Sequence, residues 1–160
     1  EYLVDAARMV LDAHPRARFI VFGEGPLRPA LEARAAALGL GDRFQFAGFV
    51  KDVGRALWSF DLSVFPSLWE GTPLTVFEAM AAGRPLLISD TEASREIVDD
   101  GRTGILVPPG NVEAWASALE RVLGDRALQM ILARAAFEKA SHYSWARRAE
   151  RIEEFLERAA

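Results

Sequence analysis

The stretch "VFPSLWEGTPLTVFEAMAAGRPLLISD", residues 64–90, carries the chain out of one strand, through a helix and into another. The β-rich run "LSVFPS", from Leu62 to Ser67, is broken by Pro66 and leads into a loop through Glu70 and Gly71. Thr72-Pro73 then reads as an N-cap followed by a proline at the first helical position, and a helix is predicted from Pro73 to Ala82 with Gly83 as its stop. "PLLIS" opens the next strand at once. A strand, a crossover helix and a second strand predict a parallel pair, because a tight hairpin can join only antiparallel neighbours.

The same alternation extends in both directions. Tyr2, Leu3, Ala6, Met9, Val10 and Ala13 recur at helical spacing until His14-Pro15 ends the pattern. "ARFIVFG" is a strand stopped by Gly23-Glu24-Gly25-Pro26, Leu27 to Leu38 is helical, "RFQFAGFV" is a second strand, and Val53 to Phe60 is a short helix. Beyond residue 90, Ala93 to Val98 reads as a helix and "GILVPP" as the last strand. Asn111 then caps the first of three closing helices, Val112 to Leu123, Arg126 to Lys139 and Trp145 to Ala159. Short apolar strands alternating with helices predict an α/β domain with a doubly wound parallel sheet and C-terminal helices, and 160 residues suit a single core. Three closing helices exceed what the last strand needs for cover, so part of this tail is expected to face another domain.

Composition narrows the partners. Hydrophobic residues make up 51% and charged residues 26%, and nineteen basic against twenty-three acidic residues leave a net charge of −4 with no basic block. A nucleic-acid backbone binder needs a basic face, so nucleic acid is not expected. No apolar run approaches the roughly 20 residues of a membrane span, so no transmembrane segment is expected. The absence of cysteine suits a reducing compartment and makes cytoplasm the default. The sequence begins at Glu1 inside an amphipathic pattern and is expected to be part of a longer protein.

In open α/β sheets, ligands gather where strand carboxyl ends meet the helices that follow. The helix starting near Pro73 offers backbone N–H groups around Leu74, Thr75 and Val76, and Gly71 allows close approach, which suits a phosphate. Glu70 before the helix and Glu78 within it can flank such a ligand. Carboxylates accept hydrogen bonds from vicinal hydroxyls and repel phosphate, so hydroxyls at both ends of a diphosphate answer both demands. That composite is a nucleotide sugar. The competing account has the two acids merely complementing the helix dipole and solvent. Helical phase puts Glu78 near Leu74 and Thr75, at the edge of the buried stripe.

The 64–90 stretch resembles the signature of the C-terminal, donor-binding domain of retaining glycosyltransferases with the GT-B fold, family 4 type: an acid pair spaced E-x7-E, a Gly-x-Pro turn, a Glu-Ala-Met-Ala-x-Gly helix and a Pro-led strand. "HPRARFIVFGEGPLRPALE", "RFQFAGFV" and "EIVDDGRTGILVPPGN" extend the likeness over almost the whole chain. The resemblance implies a Rossmann-like domain that takes part in moving a hexose from a UDP-, GDP- or ADP-linked sugar to a hydroxyl with retention. It implies that Glu70, as the catalytic residue, holds donor-sugar hydroxyls, and that Glu78 holds the ribose. It also implies that Gly71, Thr72, Pro73, Leu74 and Thr75 frame the distal phosphate, and that Phe49 and Val50, with Gly23 and Gly25 nearby, form the base pocket. From the residues alone, Gly23 and Gly25 equally suit a tight turn, and Phe49 and Val50 equally suit the core. His14 and His142 read as solvated or capping, and Glu96 as facing Arg95 or Arg102 and solvent.

No metal and no cofactor are implied beyond the nucleotide-sugar substrate, and peripheral membrane association of the full-length protein is compatible with the family. A noncatalytic nucleotide-sugar-binding module and a GT-B-like nucleotide-sugar epimerase are the alternatives. Three departures stand out. The family's opening strand with its Arg- and Lys-bearing glycine loop, and its N-terminal acceptor domain, precede the matched region, so the isolated chain is expected to be inactive and its sheet to have a gap beside Phe19 to Phe22. The family's Gly-Gly in the turn after "PLLIS" reads Glu92-Ala93-Ser94.

Overall fold

Helix and strand alternate from Tyr2 to Val107. In chain order they are α1 (Tyr2–Leu11), β1 (Phe19–Phe22), α2 (Arg28–Ala37), β2 (Phe44–Gly48), α3 (Val53–Leu57), β3 (Ser63–Phe65), α4 (Leu74–Ala81), β4 (Leu86–Ser89), α5 (Glu92–Ile97) and β5 (Ile105–Val107). Three helices follow, α6 (Val112–Gly124), α7 (Arg126–Ala140) and α8 (Trp145–Ala159). The structure is a computed structural model that describes residues 1–69, 71 and 73–159.

Every strand ladder is parallel, as the alternation demands. Phe19 lies opposite Phe44, Ser63 opposite Leu86 and Leu87 opposite Ile105. All four residues of β4 are buried. Leu87 points into a core with Val10, Val107, Trp115 and Leu119. Leu86 and Ile88 point the other way, into a core with Val76, Met80, Ile97 and Val98. An apolar run without alternation is what a strand covered on both faces requires. Helix α7 touches both layers, with Leu132 in the first core and Ala136 in the second.

The strands do not form one continuous sheet. They divide into a two-stranded sheet, β1-β2, and a three-stranded sheet, β3-β4-β5. No ladder joins β1 to β3 among the described residues, and the division falls where the family resemblance places a further strand. Side chains bridge the gap instead. The Phe22 and Phe60 rings stack at 5.2 Å, and α1 lies across both halves. Ala6 and Val10 enter the core of the larger sheet, while Val4, Ala7 and Leu11 enter that of the smaller one. Each fully buried Val or Leu contributes roughly 1.5–3 kcal/mol, so α1 is the main apolar tie between the halves.

Helix boundaries differ from the sequence expectation by a few residues where caps decide them. Helix α5 begins at Glu92 rather than Ala93 because Thr91 and Ser94 form a reciprocal capping box. Asn111 caps α6 as expected, its side chain accepting the Ala114 N–H at 2.9 Å. Pro73 occupies the N-cap position of α4 instead of the first helical turn, so α4 starts one residue later than the sequence suggests.

Candidate functional site

The chain leaves β3 at Phe65 and is anchored by α1, where the Tyr2 hydroxyl donates to the Pro66 carbonyl and lies 3.4 Å from the Ser89 hydroxyl. Leu68 and Trp69 then stand exposed in the loop. Glu70 and Thr72, assigned above to the donor sugar and to the helix cap, lie outside the described residues. Pro73 is buried, and its carbonyl accepts the Val76 N–H at 3.0 Å. The preceding N–H groups, of Leu74 and Thr75, have no backbone acceptor among the described residues. These are the orphan donors a helix start leaves for a cap or a ligand.

Helix α4 buries Val76, Ala79 and Met80. Glu78 is exposed rather than at the edge of that stripe. It shares the solvent-side face with Leu74, one turn before it. The helix ends at Gly83 (φ +64°), the left-handed stop expected of glycine, with the Arg84 N–H returning to the Ala79 carbonyl at 3.2 Å.

Two cavities border the start of α4. The larger, about 370 Å³, has Leu74, Phe77 and Glu78 on one wall and His142, Tyr143, Trp145, Arg148 and Arg151 on the other. The Phe77 and Tyr143 rings meet at 4.7 Å, closing its floor, and the Arg148 guanidinium lies 5.7 Å above the Trp145 ring. The smaller, about 290 Å³, lies between Leu68, Trp69 and Gly71 on one side and the start of α5, from Thr91 to Glu96, on the other. Gly71 borders one cavity, Leu74 and Glu78 the other.

The β4–α5 turn is internally satisfied. Asp90 makes a two-pronged pair with Arg95 at 2.6 and 2.9 Å, and that guanidinium holds its carboxyl below the usual carboxylate range. The Ser94 hydroxyl donates to the Ser89 carbonyl. Arg95 therefore faces Asp90, which removes it as the partner of Glu96; Glu96 faces solvent, on the rim of the smaller cavity. With a capping box in place of the family's glycines, the Ser94 N–H donates to the Thr91 hydroxyl and the Thr91 N–H to the Ser94 hydroxyl.

The remaining site candidates gather at the carboxyl ends of β1 and β2. The Gly23 N–H donates to the Gly48 carbonyl at 2.8 Å, with φ +121° at Gly23 and +76° at Gly48. Arg28 braces this turn by bonding Glu24 at 2.8 Å, Glu32 at 2.7 Å and the Phe46 carbonyl at 2.9 Å. Nothing lies within 4 Å of where a Cβ on Gly23 or Gly25 would stand, so both border open space. Phe49 is 79% exposed and Val50 half-buried, which removes the core alternative for Phe49. None of these four residues lines either cavity at α4.

The structure thus brings Leu74 and Glu78 to one cavity and Gly71 to another, leaves Thr75 on neither wall, and sets Gly23, Gly25, Phe49 and Val50 apart from both. Sequence reasoning missed Tyr143, Trp145, Arg148 and Arg151, and set His142 aside although it lines the larger cavity. The signal was present in α8, whose Arg148 and Arg151 follow Trp145 at three-residue intervals and so fall on one flank of the helix. Among the described residues no group of three or more His, Asp or Glu could hold a metal ion, and no helix is long and apolar enough to cross a membrane.

A family model described as "Glycosyl transferases group 1" matches residues 1–125. The chain is 35% identical over 147 residues to alpha-D-kanosaminyltransferase of Streptomyces kanamyceticus, covering 90% of this chain and 38% of that protein. It is 32% identical over 161 residues to phosphatidyl-myo-inositol mannosyltransferase of Mycobacterium leprae, covering 99% of this chain and 42% of that protein. Among solved structures, Anabaena HepE in complex with UDP-glucose superposes with a TM-score of 0.88 at 25% identity, over 98% of this chain and 44% of that one. The C-terminal domain of a group 1 family protein, LpcC from Francisella tularensis, gives 0.80 at 26% identity, over 88% of this chain and 76% of that one. The chain spans less than half the length of the two curated relatives.

Proposed function

The chain belongs to the group 1 glycosyltransferases, and on that premise we propose that it is the donor-binding part of a retaining enzyme that moves a hexose from a nucleoside diphosphate sugar to an acceptor hydroxyl. The observation that carries this reading is the start of α4. The Leu74 and Thr75 N–H groups have no backbone acceptor among the described residues, and Glu78 stands exposed one turn on, in a cavity large enough for part of a nucleotide. The solved neighbour that contains UDP-glucose, matched over 98% of this chain, supports a nucleotide-sugar ligand of the same kind.

In this mechanism the bond from the anomeric carbon to the diphosphate breaks, and negative charge grows on the departing phosphate. Amides at a helix start, already oriented, stabilise that charge without reorganising. Glu78 accepts hydrogen bonds from the ribose hydroxyls and holds the nucleotide in register, while Glu70 positions the donor sugar. Gly23, Gly25, Phe49 and Val50 take the base. The acceptor site lies in the rest of the enzyme, so the isolated chain binds donor and transfers nothing. No metal ion is assigned to the step, and donor binding is expected to survive EDTA.

The test is a thermal-shift and calorimetric screen of the chain against UDP-, GDP- and ADP-sugars. One of the three should raise the melting temperature. Glu78→Ala should weaken that ligand about 10- to 100-fold, the range for a hydrogen bond to a charged group. Indifference of both chains to all three ligands would refute the reading.

A further inference from the structure

We propose that Arg148 and Arg151 on α8 are charge partners for the diphosphate of the bound donor. The inference deepens the donor-site reading above and rests on it. Helix α8 carries four arginines besides its acids, and they divide into two kinds. Arg147 pairs with Glu150 at 3.2 Å and Arg158 with Glu154 at 3.6 Å, both along the helix surface. Arg148 and Arg151 make no ion pair with any described residue, although Glu78 stands across the same cavity. Arg148 is held over the Trp145 ring, which fixes its direction without neutralising it.

Two cations three residues apart therefore line a cavity of about 370 Å³ whose opposite wall is Glu78 and Leu74, the latter with an amide that has no backbone acceptor among the described residues. Such a space presents a carboxylate on one side and two guanidinium groups on the other, without the two closing on each other. A ligand with hydroxyls at one end and phosphates at the other satisfies both: hydroxyls donate to Glu78, and phosphate oxygens accept from Arg148, Arg151 and the α4 amides. Trp145 and Tyr143 supply flat apolar walls beside the two guanidinium groups.

The experiment compares the chain with its R148Q/R151Q and R148K/R151K variants, using UDP, GDP and ADP and the corresponding nucleosides as probes in calorimetric titrations at low and high salt. Helix α8 contributes little to the buried cores, so circular dichroism should show all three chains equally folded. The expected result is that the best diphosphate binds about tenfold or more weakly to R148Q/R151Q and loses much of its salt dependence, while its nucleoside changes by less than about twofold. The lysine variant should recover part of the loss, because the charge returns without the planar fork. If the diphosphate binds R148Q/R151Q as tightly as the unsubstituted chain, while Glu78→Ala still weakens it, this proposal fails and the donor-site reading stands. If no diphosphate binds the unsubstituted chain, both fail together.

Discussion

Helices α6 and α8 carry the same kind of pattern and end in opposite surroundings. Both are strongly amphipathic, and each opens its apolar stripe with a tryptophan. In α6 the stripe of Trp115, Ala116, Leu119 and Val122 is wholly buried, packed on α1 and the three-stranded sheet, with the Tyr2 ring 5.9 Å from Trp115. In α8 Trp145, Ile152, Phe155 and Leu156 are all exposed, Trp145 by 73%. Periodicity specifies that a helix has an apolar face; burial depends on a second surface at the right distance. Helix α6 has that surface in Val10, Leu87 and Val107, whereas among the described residues α8 meets chiefly the turn at residues 141–143.

That contrast can be broken by substitution. The largest effect is expected for Trp115→Ala, which should lower the unfolding free energy by about 3–5 kcal/mol, because a fully buried ring is lost from a core to which α1, β4, β5, α6 and α7 all contribute. Chemical denaturation read by circular dichroism measures it, and a loss below about 1 kcal/mol would show that the α6 contact is loose. Gly104→Ala comes next. An added Cβ would stand 2.8 Å from Val98 Cγ1 and 3.3 Å from the Leu86 carbonyl oxygen, so overpacking should cost about 1–3 kcal/mol on the same assay. Phe155→Ser on α8 should stay within about 0.5 kcal/mol, the ordinary range for a surface change. A drop comparable to Trp115→Ala would mean that α8 is covered in solution.

The order of elements was legible from the sequence because glycine and proline punctuate it: His14-Pro15 closes α1, Gly83 closes α4 and Asn111 opens α6. The division of the sheet was not readable from periodicity, since which strands are neighbours is a long-range property; only the likeness to a family with a further strand pointed to it. Of the site, the sequence placed Gly71, Leu74 and Glu78 around the start of α4, where Gly71 borders the smaller cavity and Leu74 and Glu78 the larger. The exposure of Glu78 was misjudged because an eight-residue helix gives too few turns to fix the stripe edge within one position. Phe49 was left between pocket and core because its aromatic side chain suits either place. The α8 wall was missed for a different reason: its arginines become meaningful only once the chain folds back to bring residue 148 across a cavity from residue 78.

Charge should matter least where the fold is most closed, and the rim of that half offers the test. Asp90, at the end of the buried strand β4, has its carboxyl lowered first by the hydrogen bonds from Arg95, and its side chain is part exposed. A carboxyl lowered in the folded state stabilises the fold at pH values above its unfolded pKa, near 3.9, and loses that contribution as pH falls through the folded value. Asp90→Asn should therefore melt slightly below the parent at neutral pH, and the two melting curves should converge below about pH 4. A gap that persists undiminished into acid would assign the role of Asp90 to geometry at the β4–α5 turn rather than to charge, and would place this rim with the apolar core instead of apart from it.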